Sequence, residues 1–256
     1  MSARPSDPRD QAPAIPPGWI SAPPDYVGVG TARSGTSWWD ALSQAHPRVS
    51  RLPGTPKEVH FFDDRWAGSP DIDDTAYHRY FARPEGQLSG EWTPGYMLDV
   101  WTPPLLREVA PDARLLVLLR DPVERFRSGR TLAENRFTVG STARAAANAA
   151  FNRGLYADQL LRLWAAFPRE QVLVLQYERC VDETAKQLQR TYEFIGLDPE
   201  VPSSVDLSRR VNESRGPKVS LSPWQEGQLI RRYAPENERL ATLVPDLELE
   251  RWKLPR

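Results

Sequence analysis

The sequence has a single cysteine, three histidines and few lysines. One cysteine excludes an intrachain disulfide and any metal site built from several cysteines. Cys180 follows Glu178-Arg179 just past a predicted buried strand, and we interpret it as a packing residue. Arginine supplies most of the positive charge, since the only lysines are Lys57, Lys186, Lys218 and Lys253. Each lysine is therefore a candidate for a specific role.

Long apolar runs and an excess of charge of one sign are also missing. No window approaches the roughly 18 apolar residues of a membrane span, and the N-terminus has no apolar signal core. The net charge is −1 and the pI is about 6.4, so there is no basic field for nucleic acid. These absences predict a soluble, cytoplasmic protein with no membrane insertion and no nucleic-acid partner.

The sequence does contain a strand-to-helix loop of small residues, which reads Tyr-Val-Gly-Val-Gly-Thr-Ala-Arg-Ser-Gly-Thr-Ser-Trp-Trp at positions 26–39. Such a loop forms an anion site, because backbone N–H groups and the helix dipole converge on it. Gly30 and Gly35 have the Walker spacing, but Thr36 stands where that motif requires lysine. Arg33 likewise stands where a dinucleotide motif requires its third glycine. An ordinary β–α turn is the competing interpretation of this stretch alone.

Strands and helices alternate along the rest of the chain. The apolar runs at 114–119 and 171–175 predict buried parallel strands. Helices are predicted over 38–45, 123–135 and 156–167, after Asp182 as an N-cap, and as two short helices in 211–256. A further Ala-rich helix is predicted over 138–153, with its mobility left open. This alternation predicts an α/β fold of three layers, a central, mainly parallel sheet flanked by helices.

The domain organisation is predicted from composition. Residues 1–24 are rich in Pro, Ser, Ala and Asp and have no hydrophobic period, so we expect a flexible N-terminal arm. Residues 25–256 are expected to form a single domain. Within it, the irregular stretch 49–97 combines aromatic and charged residues, which is typical of a binding cleft. The pair Phe61-Phe62 is interpreted as a small hydrophobic core beneath that stretch.

Several blocks in this order resemble the sulfotransferases that use 3′-phosphoadenosine 5′-phosphosulfate (PAPS), and they are most similar to the heparan sulfate sulfotransferase-like branch, in a soluble, bacterial-type form. The matching blocks are Gly30 to Ser37, Glu58 to Asp63, Arg120 to Ser128, Arg153 to Tyr156, and Asn212 to Lys218. The resemblance extends from about Asp25 to Trp252. It implies a P-loop-like fold and transfer of a sulfuryl group from PAPS to a hydroxyl or amine of an acceptor, with no metal.

The same resemblance implies roles for individual residues. The donor's phosphosulfate would be bound by Thr31, Ala32, Arg33, Ser34, Gly35, Thr36 and Ser37, its 3′-phosphate by Arg120 and Ser128, and the same end of the donor by Tyr156, Arg215, Gly216, Pro217 and Lys218. The catalytic candidates are Arg33, Lys57, Glu58 and His60.

The general base is left open between two side chains. Glu58 occupies the position of the family's proposed base, although a salt bridge to a neighbouring arginine would give it a purely structural role. His60 is the rival, because imidazole titrates near neutral pH. If the segment is extended, Glu58 and His60 point to one side and Lys57 to the other.

Two departures from the family pattern concern charge. Arg33 replaces the usual lysine of the phosphosulfate loop, so a broad guanidinium stands in for a point charge. In the block that reads Glu-Lys-Thr-Pro in the heparan enzymes, Trp92 replaces the lysine. Trp92 is expected either to stack on the acceptor or to pack in the core. With the missing disulfide and the near-neutral charge, these changes favour a small metabolite, glycolipid or sugar-bearing acceptor over heparan sulfate.

Two other functions remain as alternatives. The first is a P-loop-like kinase or nucleotide hydrolase, in which Asp121 would hold a metal, although the missing Walker lysine argues against it. The second is a PAP- or glycan-binding module that has lost transfer activity.

Overall fold

A computed structural model describes residues 12–63, 73–136, 143–207 and 219–255, with side chains of 132–136 and 143 excepted. Its centre is a parallel sheet of four strands in the order β2-β1-β3-β4. The strands are β1 (Tyr26–Gly30), β2 (Gly90–Trp92), β3 (Arg114–Leu119) and β4 (Val172–Gln176).

Helices flank this sheet. They are α1 (Thr36–Gln44), α2 (Asp74–His78), α3 (Thr102–Val109), α4 (Pro122–Arg136), α5 (Ala143–Asn152), α6 (Tyr156–Ala166), α7 (Tyr177–Asp182), α8 (Thr184–Phe194) and α9 (Pro223–Leu243). Short 3₁₀ turns lie at Arg79–Phe81, Arg169–Gln171 and Leu249–Arg251.

Strand β3 shows why the molecule has three layers. Its alternate residues Leu115, Val117 and Leu119 join one buried cluster, whereas Leu116 and Leu118 join a second cluster on the opposite face. A strand that is covered on both faces needs the continuous apolar run that the sequence has at 114–119. The predicted α/β fold, with its central parallel sheet between helices, is therefore confirmed.

Buried aromatic residues fill the irregular stretch before β2. Phe61 and Phe62 are both buried, and their rings lie 4.9 and 5.1 Å from the ring of Tyr77. Their burial agrees with the predicted core role, but they belong to the large cluster that includes Val27 and Leu115 rather than to a separate small core. Cys180 is also buried, in the cluster that contains Leu116 and Leu118, as predicted for a packing residue.

Trp92 packs directly on β1. Its ring covers Gly28, where an added Cβ would lie 2.0 Å from the indole, and its Nε1 donates to the carbonyl oxygen of Gly30 at 3.1 Å. Because the indole is fully buried, the alternative in which Trp92 stacks on an acceptor is wrong and core packing is correct. Trp92 thus supports the strand that leads into the small-residue loop.

Replacing Gly28 with alanine is expected to lower the free energy of unfolding by about 2–3 kcal/mol, because the new methyl group would overlap the Trp92 ring. Urea denaturation monitored by tryptophan fluorescence would measure this loss. Gly95→Ala is the control, since a Cβ at Gly95 meets nothing within 4 Å and should change stability by under about 0.5 kcal/mol. An equal loss in both variants would contradict the assigned overlap.

Two helix predictions need correction. Within the described residues 219–255, the C-terminal part forms one α-helix of 21 residues, α9, where two short helices were predicted. It begins at a capping box of Ser222 and Gln225, and a buried face that includes Leu229, Tyr233 and Leu240 continues past Pro235. The helix predicted after Asp182 is α8, but its N-cap is Glu183, because Asp182 is the last residue of α7.

The other helix predictions agree with the structure. The helix predicted over 123–135 is α4, which starts with Pro122 in its first turn. Helix α5 covers part of the predicted 138–153 segment, whereas residues 137–142 lie outside the described residues, so the mobility of this segment stays a prediction.

Part of the predicted arm contacts the domain. Ile20 and Arg83 exchange two backbone hydrogen bonds, of 2.9 and 3.0 Å. The Arg83 guanidinium also donates to the carbonyl oxygen of Pro23 and forms an ion pair with Asp25 at 2.9 Å. Residues 1–11 lie outside the described residues, and the division of the chain at residue 24 stays a prediction.

Candidate active site

Polar residues collect where the four strands end. Thr31, Thr93, Arg120 and Tyr177 directly follow β1, β2, β3 and β4. The carboxyl ends of parallel strands share one edge of the sheet, and ligands of such folds bind outside that edge. The candidate site is therefore at this edge.

The small-residue loop between β1 and α1 is held by its own hydroxyl groups. Buried Thr31 lies 2.6 Å from the Ser34 hydroxyl and donates to the carbonyl oxygen of Leu118 at 2.9 Å. Gly35 has a φ of 87°, a left-handed conformation that turns the chain into α1. The first turn of α1 has no acidic residue, so the positive end of its dipole is left unopposed at the loop. This geometry suits an anion bound near Thr36 and Ser37.

Two arginines and a serine close one side of this loop. Arg33 donates from Nε to the hydroxyl of Ser128 on α4 at 3.0 Å. Arg120 donates to the backbone carbonyl oxygen of Arg33 at 3.2 Å, and its guanidinium lies 4.8 Å from the centroid of the Tyr177 ring. The Tyr156 hydroxyl donates to the carbonyl oxygen of Arg120 at 2.9 Å. The structure therefore brings Arg33, Arg120, Ser128 and Tyr156 together, although they are far apart in sequence.

A charged group lies on the other side of the loop. Lys57 Nζ is 3.1 Å from the Thr36 hydroxyl and 2.9 Å from Glu58 Oε1. The His60 ring contacts two carboxylates, Glu58 at 3.2 Å and Asp63 at 2.7 Å. The condition for the predicted alternation is not met, because residues 57–60 form no strand, and Lys57 contacts Glu58 instead of pointing to the other side. Glu58 and His60 do lie on the same side, as their contact shows.

These contacts assign protonation states. Burial alone would raise the pKa of Glu58, but the hydrogen bond with His60 and the charge of Lys57 outweigh it and lower that pKa to about 2. Hydrogen bonds to Asp63 and Glu58 outweigh partial burial and raise the pKa of His60 to about 10. At neutral pH Glu58 is therefore an anion and His60 a cation. A cationic imidazole has no free lone pair with which to accept a proton.

Charges of both signs surround this group. Burial and the nearby Asp63 carboxylate raise the pKa of Asp99 to about 6, whereas Arg153 and His60 oppose that shift. The three carboxylates of Glu58, Asp63 and Asp99 are thus matched by three cationic side chains, those of Lys57, His60 and Arg153, so this side of the site has no excess of positive charge to attract a polyanionic ligand.

Some predicted residues cannot be placed. Arg215, Gly216, Pro217 and Lys218 lie outside the described residues. Across the described ranges, no group of three or more His, Cys, Asp or Glu side chains is arranged to hold a metal ion. Within those same ranges, no helix is both long and apolar enough to cross a membrane.

Two residues at the site had no role in the sequence prediction. Glu91 is fully buried beside the segment that carries Glu58. Tyr177 lies beneath Arg120, and it also limits Gly35, where an added Cβ would be 2.7 Å from its ring. An aromatic residue directly after a buried strand was the available signal for Tyr177. For Glu91, the signal was a carboxylate within an otherwise apolar β2.

The chain belongs to the sulfotransferase domain family, whose model matches residues 23–232. This confirms the family that the sequence motifs predicted. The match begins just before β1 and ends within α9, so it includes every strand of the sheet.

Curated relatives include two mouse enzymes. Heparan sulfate glucosamine 3-O-sulfotransferase 6 is 30% identical over 186 residues, which are 68% of this chain and 52% of that protein. Heparan sulfate glucosamine 3-O-sulfotransferase 3A1 is 28% identical over 194 residues, which are 68% of this chain and 46% of that protein. The chain thus spans about half the length of these relatives.

Solved structures give the same fold. A sulfotransferase from Alicyclobacillus acidocaldarius has a TM-score of 0.71 at 25% identity, over 90% of this chain and 99% of that one. The sulfotransferase domain of the curacin biosynthetic pathway has a TM-score of 0.58 at 12% identity, over 92% of this chain and all of the other. The second likeness concerns the fold alone.

Proposed function

We propose that this chain transfers a sulfuryl group from PAPS to a hydroxyl or amine of a small-molecule or sugar-bearing acceptor. The observation that carries the proposal is the meeting of two groups at one sheet edge. The anion loop with Arg33, Arg120 and Ser128 lies on one side, and Lys57 with Glu58 lies on the other. Lys57 joins the two, since its ammonium contacts both Thr36 of the loop and Glu58.

The donor side fits a ligand with two separate anionic groups. The loop amides, Arg33 and the α1 dipole suit the 5′-phosphosulfate. Arg120 and Ser128 suit the 3′-phosphate, because a guanidinium supplies paired donors to a terminal phosphate. Arg33 contacts Ser128 at 3.0 Å, so these two sets of donors adjoin. Arg215 and Lys218 are proposed to cover the same end of the donor.

The transfer step needs one base and one stabilising cation. The acceptor oxygen or nitrogen forms a bond to sulfur while the bond from sulfur to the donor's phosphate oxygen breaks. The acceptor proton passes to the Glu58 carboxylate, and the product 3′-phosphoadenosine 5′-phosphate (PAP) leaves with the bonding electrons. Lys57 is positioned to stabilise charge on the leaving phosphate, a role for which Trp92 provides no cation. The proposal gives the role of base to Glu58 rather than His60, because hydrogen bonds to Asp63 and Glu58 raise the pKa of His60 to about 10 and so favour its cationic form.

The acceptor is proposed to be a small or sugar-bearing molecule rather than a polyanion. Lys57, His60 and Arg153 match the charges of Glu58, Asp63 and Asp99 on this side of the site, and the whole chain has a net charge of −1. This side of the site thus has no excess of positive charge with which to attract a sulfated polysaccharide. A hydroxyl of a sugar or small metabolite, or an amine, needs no such attraction.

Calorimetric titration of the protein with PAP, ADP and ATP tests the donor assignment. We expect PAP to bind at least about 100-fold more tightly than ADP, since only PAP offers a 3′-phosphate to Arg120 and Ser128. ATP that binds as tightly as PAP and is hydrolysed with a metal would favour the kinase or hydrolase alternative. If the protein binds PAP but transfers no labelled sulfate from PAPS to any member of a broad acceptor panel, the result would favour the alternative of a binding module without transfer activity.

A further inference from the structure

Three consecutive backbone amides of the segment that carries Glu58 and His60 are each held by a side chain. Val59 N–H donates to Glu91 Oε2 at 3.0 Å, His60 N–H to the Thr93 hydroxyl at 3.3 Å, and Phe61 N–H to the Tyr96 hydroxyl at 2.9 Å. Lys57 is linked to strand β2, which also contains Glu91, because the Lys57 carbonyl oxygen accepts from Trp92 N–H at 2.9 Å. Side chains thus supply the partners that a strand or helix would otherwise provide.

The three acceptors form one connected, buried cluster. The Thr93 hydroxyl that accepts from His60 N–H donates in turn to Glu91 Oε2 at 2.5 Å, and Tyr77 donates to Glu91 Oε1 at 2.8 Å. Glu91 and Thr93 are fully buried. Although burial raises the pKa of Glu91, every contact that it makes with Val59, Tyr77 and Thr93 brings a donor to a carboxylate oxygen. Glutamine at this position would place an N–H₂ group where donors already point.

The backbone that this cluster holds is unusual. His60 has a φ of 54°, which costs a non-glycine residue about 1 kcal/mol or more unless its surroundings enforce it. In that conformation the imidazole reaches both Glu58 and Asp63, and Asp99 and Lys57 face the same group. Release of the amide would let the backbone relax, and the ring would leave its two carboxylates.

We propose that Glu91, Thr93 and Tyr96 are positioning residues, which hold the amides of residues 59–61 and thereby place Glu58 and His60 for the reaction. This inference rests on the proposed function, since it assumes that Glu58 and His60 act on an acceptor. The residues act through hydrogen bonds to the backbone and touch no reacting atom.

A proton NMR titration tests the inference without an acceptor. The chain has only three histidines, so the His60 signal is separable from those of His46 and His78, which serve as internal references. We expect the midpoint of His60 to lie near 10 in the unaltered protein. Thr93→Val and Tyr96→Phe should each lower that midpoint by at least about one pH unit, a tenfold loss of proton affinity. Thr93→Ser, which keeps the hydroxyl, should restore it.

A matched control separates positioning from general destabilisation. Thr191 is equally buried, accepts from the Trp39 indole at 3.0 Å and donates to the Gln187 carbonyl oxygen at 2.8 Å. Thr191→Val should therefore lower the melting temperature about as much as Thr93→Val while the His60 midpoint changes by less than about 0.3 units. Tyr192→Phe, which removes a buried bond to the Leu42 carbonyl oxygen, serves in the same way for Tyr96→Phe.

Each outcome decides the matter. A His60 midpoint that stays unchanged in a folded Thr93→Val or Tyr96→Phe protein overturns the inference, as does an equal shift in Thr191→Val. If Thr93→Val does not fold, Thr93→Ser and Tyr96→Phe still give the comparison. PAP titration of each variant should agree with the unaltered protein within about twofold, because the donor side is not involved. Failure of the unaltered protein to bind PAP would instead remove the proposed function and leave the titration result standing.

Discussion

Glu58→Gln is expected to slow sulfuryl transfer by about 10²–10⁴-fold while PAP binding stays within about threefold of the unaltered protein. Glutamine keeps the shape of the side chain but cannot take the acceptor proton. The contacts of Glu58 with Lys57 and His60 outweigh burial and lower its pKa to about 2, so the carboxylate is ionised, as a general base must be, throughout the neutral range. Initial rates with labelled PAPS and an acceptor found in a screen would measure the loss.

Two further variants make this result specific. Glu85→Gln alters an exposed carboxylate in a turn and should leave the rate unchanged. His60→Gln removes the hydrogen bond that lowers the pKa of Glu58, so the acidic limb of the pH–rate profile should move to higher pH. Near-normal turnover in Glu58→Gln would show that Glu58 is not the base.

Arg120→Met is expected to lower PAP affinity by about 30- to 300-fold, the effect of losing two charge-assisted hydrogen bonds to one phosphate. Arg120 is held in place by Tyr177 and by its bond to the Arg33 carbonyl oxygen, so little ordering is needed when the ligand binds. Arg120→Lys keeps the positive charge but loses the paired N–H donors of the guanidinium, and this variant should bind PAP about tenfold more weakly than the unaltered protein. Isothermal titration calorimetry would measure all three proteins.

The comparison with ADP identifies which phosphate Arg120 binds. If Arg120 holds the 3′-phosphate together with Ser128, Arg120→Met should remove most of the preference for PAP over ADP and leave ADP affinity unchanged. Arg190→Met is the control, since the described ion pair of Arg190 is with Asp246 and does not involve the anion loop. A variant that keeps the full preference for PAP over ADP would exclude the 3′-phosphate role.

Much of the fold could be predicted because its determinants are local. The continuous apolar run of β3 and the small residues after β1 each indicate their own structure within a few positions. Helix α4 likewise begins at Pro122, where a proline suits the first turn. The errors arose where local signals were ambiguous. Asp182 resembles a cap, yet α7 leaves β4 without an intervening turn, and α9 continues past Pro235.

The site was predictable only in part, for a related reason. The ordered motifs indicated the loop, Arg120, Ser128 and Glu58, and the structure brings Arg33, Arg120 and Ser128 together. The amides of residues 59–61 are held by side chains of Glu91, Thr93 and Tyr96, and the two partners of each hydrogen bond are separated in sequence by 32, 33 and 35 positions. No period or turn signal links positions so distant. The segment 57–60 is not a regular strand, and His60 in it has a left-handed backbone, which is uncommon for a residue other than glycine, so strand alternation could not predict the contact of Lys57 with Glu58.

The packing of Trp92 on Gly28 restricts which single substitutions positions 28 and 92 could have accepted during evolution. Lysine at position 92 would bury an ammonium and leave a void over Gly28, while any larger residue at 28 overlaps the indole. Each single substitution is therefore unfavourable in the background of the other, and only the pair would restore packing. Position 92 and position 28 should accordingly covary among relatives, with tryptophan accompanied by glycine.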